Sequence, residues 1–406
     1  MTIERIVKNG LGLARAADGV VIMTPGVLPG EVVRIAVARQ RGPSELLEVL
    51  EPSPDRVSLP RGASPDTCDL GFASYPAQLA IKREIVRDAL SHMGRMAADV
   101  EETTPSPEQW EYRTAAQYLL TDHGPAYRAR GGAAGRAIRA DPLTTPLIAD
   151  GLSFLNARTL FPATEVALRA SLESGEVLAA LIGPPPAQDY RDAVQALRDA
   201  GVSGVAYAAW DPTGRFRSEV RHLSGRKDTL ERFGQVSLTV TATGFAQVNP
   251  PAAGLLYERA AELAGSGAEA LDLYGGSGGI AFHLAKNFER VTVLEINSQA
   301  VERGEADAKR LGLGNVSFVR GDAARLAGLK PLVVTVDPPR VGLMPEALQA
   351  LIASPAARVV AISCDPATWA RDVAALVAAG FRLLRVEPFD LYPQTSHVEV
   401  LSLLER

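Results

Sequence analysis

The segment 358–371, RVVAISCDPATWAR, sets a cysteine between an apolar, β-branched run of strand length and an Asp365-Pro366 helix start. In open α/β sheets, ligands bind beyond the carboxyl ends of the strands, and a helix N-terminus stabilises a thiolate through its partial positive charge. Cys364 therefore stands where a nucleophile works; a buried cysteine packing as a small hydrophobe is the competing reading. In HVEVLSLL, Glu399 offers a carboxylate that can reach the same pocket as a base, although a lone glutamate in an outer strand is ordinarily on the surface. A nucleophile and a base beside a nucleotide-type site suit covalent catalysis with general-base assistance.

Two further constellations supply that site. ALDLYGGSGGIAFHLA reads as a strand, a glycine-rich turn through Gly275, Gly276, Gly278 and Gly279, and a helix, and Glu295 ends the next strand. Glycines let backbone approach a ligand at a helix N-terminus, and a carboxylate about twenty residues on can bind a ribose. The same residues satisfy a dinucleotide fingerprint, so an S-adenosylmethionine (SAM) site, a nicotinamide site and a structural turn all remain open on this motif. In VDPPRVG, Pro338 and Pro339 impose a stiff, extended exit that holds the Asp337 carboxylate at the sheet edge; a plain turn is the alternative.

The elements that must position these residues follow from periodicity. Apolar runs at 270–274, 291–295, 316–319, 332–336, 358–362 and 381–386, and then HVEVLSLL, alternate with helical segments, which predicts a doubly wound sheet with one late antiparallel strand. Residues 3–53 come in short bursts punctuated by Gly and Pro, the pattern of a small β-barrel of four or five strands. Residues 54–76 read as a loop and 77–93 as a helix. Region 110–235 reads as mixed α/β, with strands in YRTAAQYLL, AYRARGG, AGRAIRA, SGVAYAAW, GRFRSEVRHL and VSLTVTATGFAQV and helices near 157–176 and 189–200. It concentrates Arg113, Arg128, Arg130, Arg136, Arg139, Arg215, Arg217, Arg221 and Arg226, either a solvated face or a phosphate-contacting patch.

At 406 residues, two or three domains are expected. The formal charge of −5 gives no whole-protein attraction to nucleic acid, so any such binding rests on local patches. Cys68 and Cys364 are too few for a disulfide framework or a self-contained cysteine-rich metal site. No apolar run approaches twenty residues and MTIERIVKNG is not a leader, which predicts no membrane association and a cytoplasmic location.

In their order and spacing, EPSPDRV, GFAQVNP, DLYGGSGG, VDPPRVG, SCDPATWARD and LYPQTSHVEV resemble the motifs of the SAM-dependent RNA uracil-5 methyltransferases, over most of the chain. The resemblance implies an α/β fold: a class I (Rossmann-like) methyltransferase domain, an N-terminal TRAM/OB-like barrel and a central mixed α/β domain. The corresponding division is 1–56 barrel, 57–96 linker and helix, 97–240 central RNA-binding domain and 241–406 methyltransferase domain. It implies that Cys364 attacks carbon 6 of uracil, that carbon 5 takes the methyl group of SAM, and that Glu399 removes the carbon 5 proton. Gln247, Tyr274, Gly275, Glu295, Asp322 and Asp337 then fall at SAM-binding positions. RNA is the implied partner, ribosomal ahead of transfer RNA, acting on a monomer, with the target base out of its stack. An RNA cytosine-5 methyltransferase and an RNA-binding protein with decayed catalysis are the alternatives. The chain departs from the family at three places: Cys68 is alone where many members hold an iron-sulfur cluster, so no cluster is expected; Asp365 replaces the usual Asn, adding a charge that disfavours the adjacent thiolate; and Gly279 replaces a common Asn.

Overall fold

The computed structural model describes residues 1–37, 42–60, 62–65, 67–128, 134–184, 189–211, 216 and 219–406. The chain divides into two compact units, one made of Met1–Leu59, Ser64–Gln109 and Ala252–Arg406, the other of Pro60–Ala63 and Trp110–Pro251.

The first unit is built on a seven-stranded sheet: β1 (Gly267–Leu273), β2 (Phe288–Glu295), β3 (Val316–Arg320), β4 (Val333–Val336), β5 (Arg358–Ser363), β6 (Arg382–Phe389) and β7 (Glu399–Glu405). Their spatial order is β3-β2-β1-β4-β5-β7-β6. The first five are parallel and β7 runs antiparallel to both β5 and β6. The predicted strands are all present, and the late reversed one is β7. Helices α1 (Tyr75–His92), α2 (Pro250–Ala264), α3 (Gly279–Leu284), α4 (Ser298–Arg310), α5 (Pro345–Ala353) and α6 (Pro366–Ala378) accompany the sheet. One core joins Leu271, Val334, Val336, Val359, Ala361 and Val400 of the strands to Ile85 and Ala89 of α1 and Trp369 and Val373 of α6. Strands covered on both faces carry near-continuous apolar runs, which is why this region is regular in sequence. Strand order reverses between β1 and β4, and crevices at such switch points bind ligands at the carboxyl ends of the strands.

The same unit includes five short N-terminal strands, as the bursts predict. Arg5–Val7, Leu11–Arg15 and Val21–Pro25 form one antiparallel sheet and Val32–Ala36 pairs with Glu45–Glu51. A bridge between Thr2 and Val32 links them around a small core of Ile3, Ala14, Val27 and Val33. Glu31 is fully buried beside it; burial pushes its carboxyl up, but the Arg56 hydrogen bonds and the Leu28 and Ser53 amides outweigh this and hold it below the usual value.

The second unit carries another seven-stranded sheet, in the order Val220–Gly225, Gly204–Ala209, Val177–Gly183, Glu165–Ala170, Ala115–Thr121, Gly124–Arg128 and Ala134–Ala137. The expected helix near 189–200 is Arg191–Asp199, but the expected helix over 157–176 is overturned, because Glu165–Ala170 is a central strand. Leu168 and Ala170 enter one core and Ala167 another, so both faces are buried and the alternation that marks a strand disappears. Tyr112 and Tyr118 are core residues, and Tyr118 and Tyr127 both donate to Asp141. Arg128, Arg221 and Arg226 pair with Glu165, Glu219 and Glu176, which reduces the case for a free phosphate-binding patch. Arg130, Arg215 and Arg217 lie outside the described residues, as does the side chain of Arg136. Among the described residues, no helix is long and apolar enough to cross a membrane.

Replacing Arg56 with Met strands the Glu31 carboxylate in the first unit. We expect a loss of about 3 kcal/mol at neutral pH in chemical denaturation. Because the Glu31 pKa is depressed, its contribution is present above the unfolded-state value and is lost as pH falls through the folded one. The gap between wild type and variant should therefore close in acid; a gap independent of pH contradicts the assignment.

Candidate active site

The antiparallel pairing of β5 with β7 opposes Ser363, the last residue of β5, to Val400, so Cys364, which follows β5, and Glu399, the first residue of β7, lie at the same end of the two strands. Asp337 follows β4, the neighbour of β5 on its other side. Three strand ends thus deliver a thiol and two carboxyls to one edge of the sheet. Glu399 is only 2% exposed, so the expectation of a surface glutamate does not apply to it. Burial, then the Asp337 charge, push Glu399 up to about 8, while Arg340 acts the other way. Burial pushes Asp337 up to about 6. Burial and the charges of Glu399 and Asp337 push the Cys364 thiol up to about 11, against a Coulombic and hydrogen-bonding contribution from Arg340.

The loop that carries Asp337 and Arg340 is fastened to α6. Thr368 Oγ1 donates to the Arg340 carbonyl at 3.1 Å, Arg371 Nη2 to the Val341 carbonyl at 2.9 Å, and the Leu343 amide to Asp372 Oδ2 at 2.7 Å. Gly342 has φ +79 where these contacts converge, and a Cβ there would stand 2.4 Å from Arg371 Nη2. The VDPPRVG and SCDPATWARD motifs are therefore two halves of one packed loop–helix assembly.

Asp365 is the N-cap of α6: its Oδ1 accepts from the Ala367 and Thr368 amides at 3.0 and 3.3 Å. Its other oxygen pairs with Lys8, which lies between the first two N-terminal strands. Burial pushes the Asp365 carboxyl up, but Lys8 and the capping amides prevail and hold it below the usual range. The charge that sequence alone sets against the thiolate is thus compensated by a lysine from the N-terminal module. Lys8 also lines a cavity of about 220 Å³ with Arg5, Ile85, Asp88, Met93 and Pro366.

The glycine-rich turn sits at the carboxyl ends of β1 and β2. Tyr274 has φ +62, a sparsely populated conformation for a side-chain-bearing residue that clusters at functional sites. A Cβ on Gly275 would lie 2.7 Å from Asp272 Oδ2 and from Val293, whereas the space over Gly276 is open. Glu295 Oε2 accepts from the Gly276 amide at 3.1 Å and Oε1 from the Asn297 amide at 2.7 Å, so one carboxylate fixes the turn. The Gly321 amide donates to the Glu295 carbonyl, which brings Asp322, the cap of Ala323–Gly328, to the end of β3 beside β2. Tyr274, Gly275, Glu295, Asp322 and Asp337 are thereby gathered along the carboxyl ends of β1 to β4, and Gln247 belongs to the second unit. Gly279 has its own reason: a Cβ there would approach the Tyr257 ring to 3.0 Å, so the aromatic ring fills the space an asparagine would need.

Residues 323–406 match the family described as tRNA (Uracil-5-)-methyltransferase, and 270–337 the one described as Methyltransferase domain. An uncharacterized RNA methyltransferase of Geobacter sulfurreducens is 32% identical over 437 residues, covering 98% of this chain and 87% of its relative. The chain belongs to the RNA methyltransferase family. An uncharacterized RNA methyltransferase of Thermosynechococcus vestitus is 31% identical, with 100% of this chain and 97% of the relative covered. The crystal structure of Pyrococcus abyssi tRNA (uracil-54, C5)-methyltransferase in complex with S-adenosyl-L-homocysteine superposes with TM-score 0.79 at 21% identity, covering 100% of this chain and 99% of that one. The class I fold and the resemblance to the uracil-5 enzymes therefore hold.

Three residues of the candidate site leave no distinct signal in the sequence. Arg340 was visible only as part of a turn, and its contact with Cys364 depends on the fold. Tyr257 on α2 is buried, and its hydroxyl is held above its usual pKa by burial and then by Asp337, Glu399 and Asp272. Asp272, inside β1, accepts from Thr335 Oγ1 at 2.7 Å and the Ala281 amide at 3.1 Å, and burial foremost pushes it up to about 7. The apolar runs mark the strands but do not reveal which polar residue within them faces the site.

Two readouts test this electrostatic arrangement in the empty enzyme. Glu399 has a raised pKa, so its contribution to stability is present below the unfolded value and is lost as pH rises through about 8. Glu399→Gln should melt higher than wild type at pH 8–9, by roughly 2–4 °C per kcal/mol relieved, with the difference vanishing near pH 4. Removing that negative charge should also raise the iodoacetamide labelling rate of Cys364 at pH 8 by about threefold to tenfold, since one pKa unit is tenfold in thiolate. Slower labelling in that variant contradicts the arrangement.

Proposed function

We propose that the enzyme methylates carbon 5 of uridine in RNA, with SAM as the methyl donor, Cys364 as nucleophile and Glu399 as base. The observation that carries this reading is the Ser363–Val400 pairing, which brings Cys364 and Glu399 to one sheet edge shared with Asp337 and the glycine-rich turn. Uracil carbon 5 is a poor nucleophile until a temporary bond at carbon 6 supplies electrons to it. The Cys364 sulfur forms that bond, with Arg340 stabilising the thiolate against the surrounding carboxylates. Bound SAM would offer carbon 5 an electrophilic methyl group, the sulfonium–methyl bond breaking to leave S-adenosylhomocysteine. Glu399, deprotonated, then takes the carbon 5 proton, and the electrons of the broken C–H bond restore the ring double bond as the carbon 6–sulfur bond breaks and the thiolate leaves. A carboxyl pushed up toward neutrality is a better proton acceptor than an ordinary glutamate, which is the advantage of its burial.

SAM fits the turn: the backbone is open over Gly276, and Glu295, anchored by two amides, presents its carboxylate at the strand end where a ribose is ordinarily bound. Tyr274, Gly275, Asp322 and Asp337 are assigned to the same molecule, and Gln247 keeps only the SAM-binding assignment that the resemblance implies. The second unit and the N-terminal strands are assigned to RNA, in keeping with the four-part division of the sequence. The ranking of ribosomal above transfer RNA is not favoured, because the matched family and the Pyrococcus enzyme are both named for tRNA; transfer RNA is the first substrate to try. The cytosine-5 alternative requires a second cysteine, and Cys68 is fully buried in the linker against Gly71.

Incubating the chain with SAM and a short RNA containing 5-fluorouridine should give a covalent complex by denaturing mass spectrometry, because fluorine at carbon 5 cannot leave as a proton. The adduct should map to Cys364 and vanish in Cys364→Ala. RNA that binds without forming an adduct, when total RNA from a strain lacking the gene also accepts no methyl group, would refute the reading.

A further inference from the structure

The connection from β6 to β7, residues 390–398, is far longer than a hairpin needs and is almost wholly buried, unlike an ordinary surface loop. Buried backbone and polar side chains require partners, and here three come from residues some three hundred positions earlier. Lys82, 0% exposed, makes an ion pair with the buried Asp390 and donates to the Tyr392 carbonyl at 3.0 Å. Gln78, one turn earlier on the same face of α1, exchanges two hydrogen bonds of 2.8 Å with Gln394: its amide nitrogen donates to the Gln394 side chain and its oxygen accepts from the Gln394 backbone. Gln394 is held at φ +68, and its own carbonyl accepts from the Leu70 amide. Asp69 then takes both the backbone amide and the hydroxyl of Ser396, at 2.7 and 2.9 Å.

Asp390, Gln394 and Ser396 are thus gripped in succession along the run that ends at Glu399. Sheet pairing alone fixes Glu399 only through its register with Phe389 and through the strand beyond it. We infer that Asp69, Gln78 and Lys82 form a clasp that positions Glu399 for proton removal. They are positioning residues, acting through the loop and touching no substrate. The inference rests on the proposed function, in which nucleophilic attack and proton removal are separate steps. Slackening the loop should spare attack by Cys364, which lies between β5 and α6, and slow the step that needs Glu399 placed to within hydrogen-bonding reach.

The test uses the full chain, SAM with a labelled methyl group, and RNA from a strain lacking the gene, grown on uridine tritiated at carbon 5. Single-turnover reactions follow methyl transfer, tritium release and RNA-linked protein on denaturing gels. In Asp69→Asn, Gln78→Leu and the paired change Lys82→Gln with Asp390→Asn, tritium release should slow about tenfold or more while methylated RNA linked to Cys364 accumulates. Unchanged tritium release, or a parallel loss of methyl transfer and release without accumulated adduct, in chains that melt within a few degrees of wild type, overturns the clasp. Asp69→Asn preserves side-chain shape and keeps the measurement possible where the charge-removing pair does not fold. A wild-type chain that neither methylates this RNA nor forms the 5-fluorouridine adduct removes the proposed function itself, and the clasp with it.

Discussion

The site depends on one reversed strand. In a wholly parallel sheet every strand begins at one edge and ends at the other, so a residue that starts a strand can never meet one that ends its neighbour. β7 breaks this rule by running antiparallel between β5 and β6, and its first residue, Glu399, arrives at the edge where β4 and β5 finish. The register is secured by packing: Val400 and Leu404 lie in the main core, while Ser402 accepts from the Trp369 indole and donates to the Ala361 carbonyl. A slip of one residue would carry Glu399 to the opposite face and drive core residues outward.

The price of this convergence is electrostatic. Asp272, Asp337 and Glu399 all lie where desolvation favours their neutral forms, and the Cys364 thiol feels the same burial together with two of their charges. Arg340 relieves both Cys364 and Glu399. Such clusters of mutually raised pKa values are unfavourable for folding and useful for proton transfer near neutrality, which is why they mark functional sites more often than structural ones. The surrounding framework supports the cost: α6 holds the Asp337–Arg340 loop through Thr368, Arg371 and Asp372, and the buried strands below are densely apolar.

What could be read from the sequence divides along the same line. The strands of the methyltransferase sheet were legible because burial on both faces writes continuous apolar runs, and Cys364, Asp337 and Glu295 were legible because strand ends in such a sheet are where ligands bind. Identical burial in the second unit has the opposite effect: Glu165–Ala170 carries the same continuous pattern, with Pro162 and Gly175 set back from its ends, and reads as part of a longer helix. Partners brought together by the fold left no local signal. Tyr257 explains Gly279, but the two lie on different helices, and only the packing of α2 beside α3 puts the ring where the missing side chain would be. The arginines singled out in the second unit illustrate the converse, since a basic cluster in sequence includes members already spent on carboxylates of their own sheet.

Asp365 shows how a local rule can be broken and repaired at a distance. A carboxylate next to a nucleophilic thiol opposes the thiolate, yet a carboxylate is also among the best caps for the helix whose N-terminus favours that thiolate. The two effects conflict only while the charge is unbalanced. One oxygen of Asp365 serves the α6 amides and the other is matched by Lys8, 357 residues away between the first two N-terminal strands. Lys8 is itself more than half exposed, so the pair is weak as a source of stability and its value lies in the local field. Lys8 thereby contributes a charge to the neighbourhood of Cys364, and what looks in sequence like a defect beside that thiol is half of an ion pair whose other half lies in a different part of the fold.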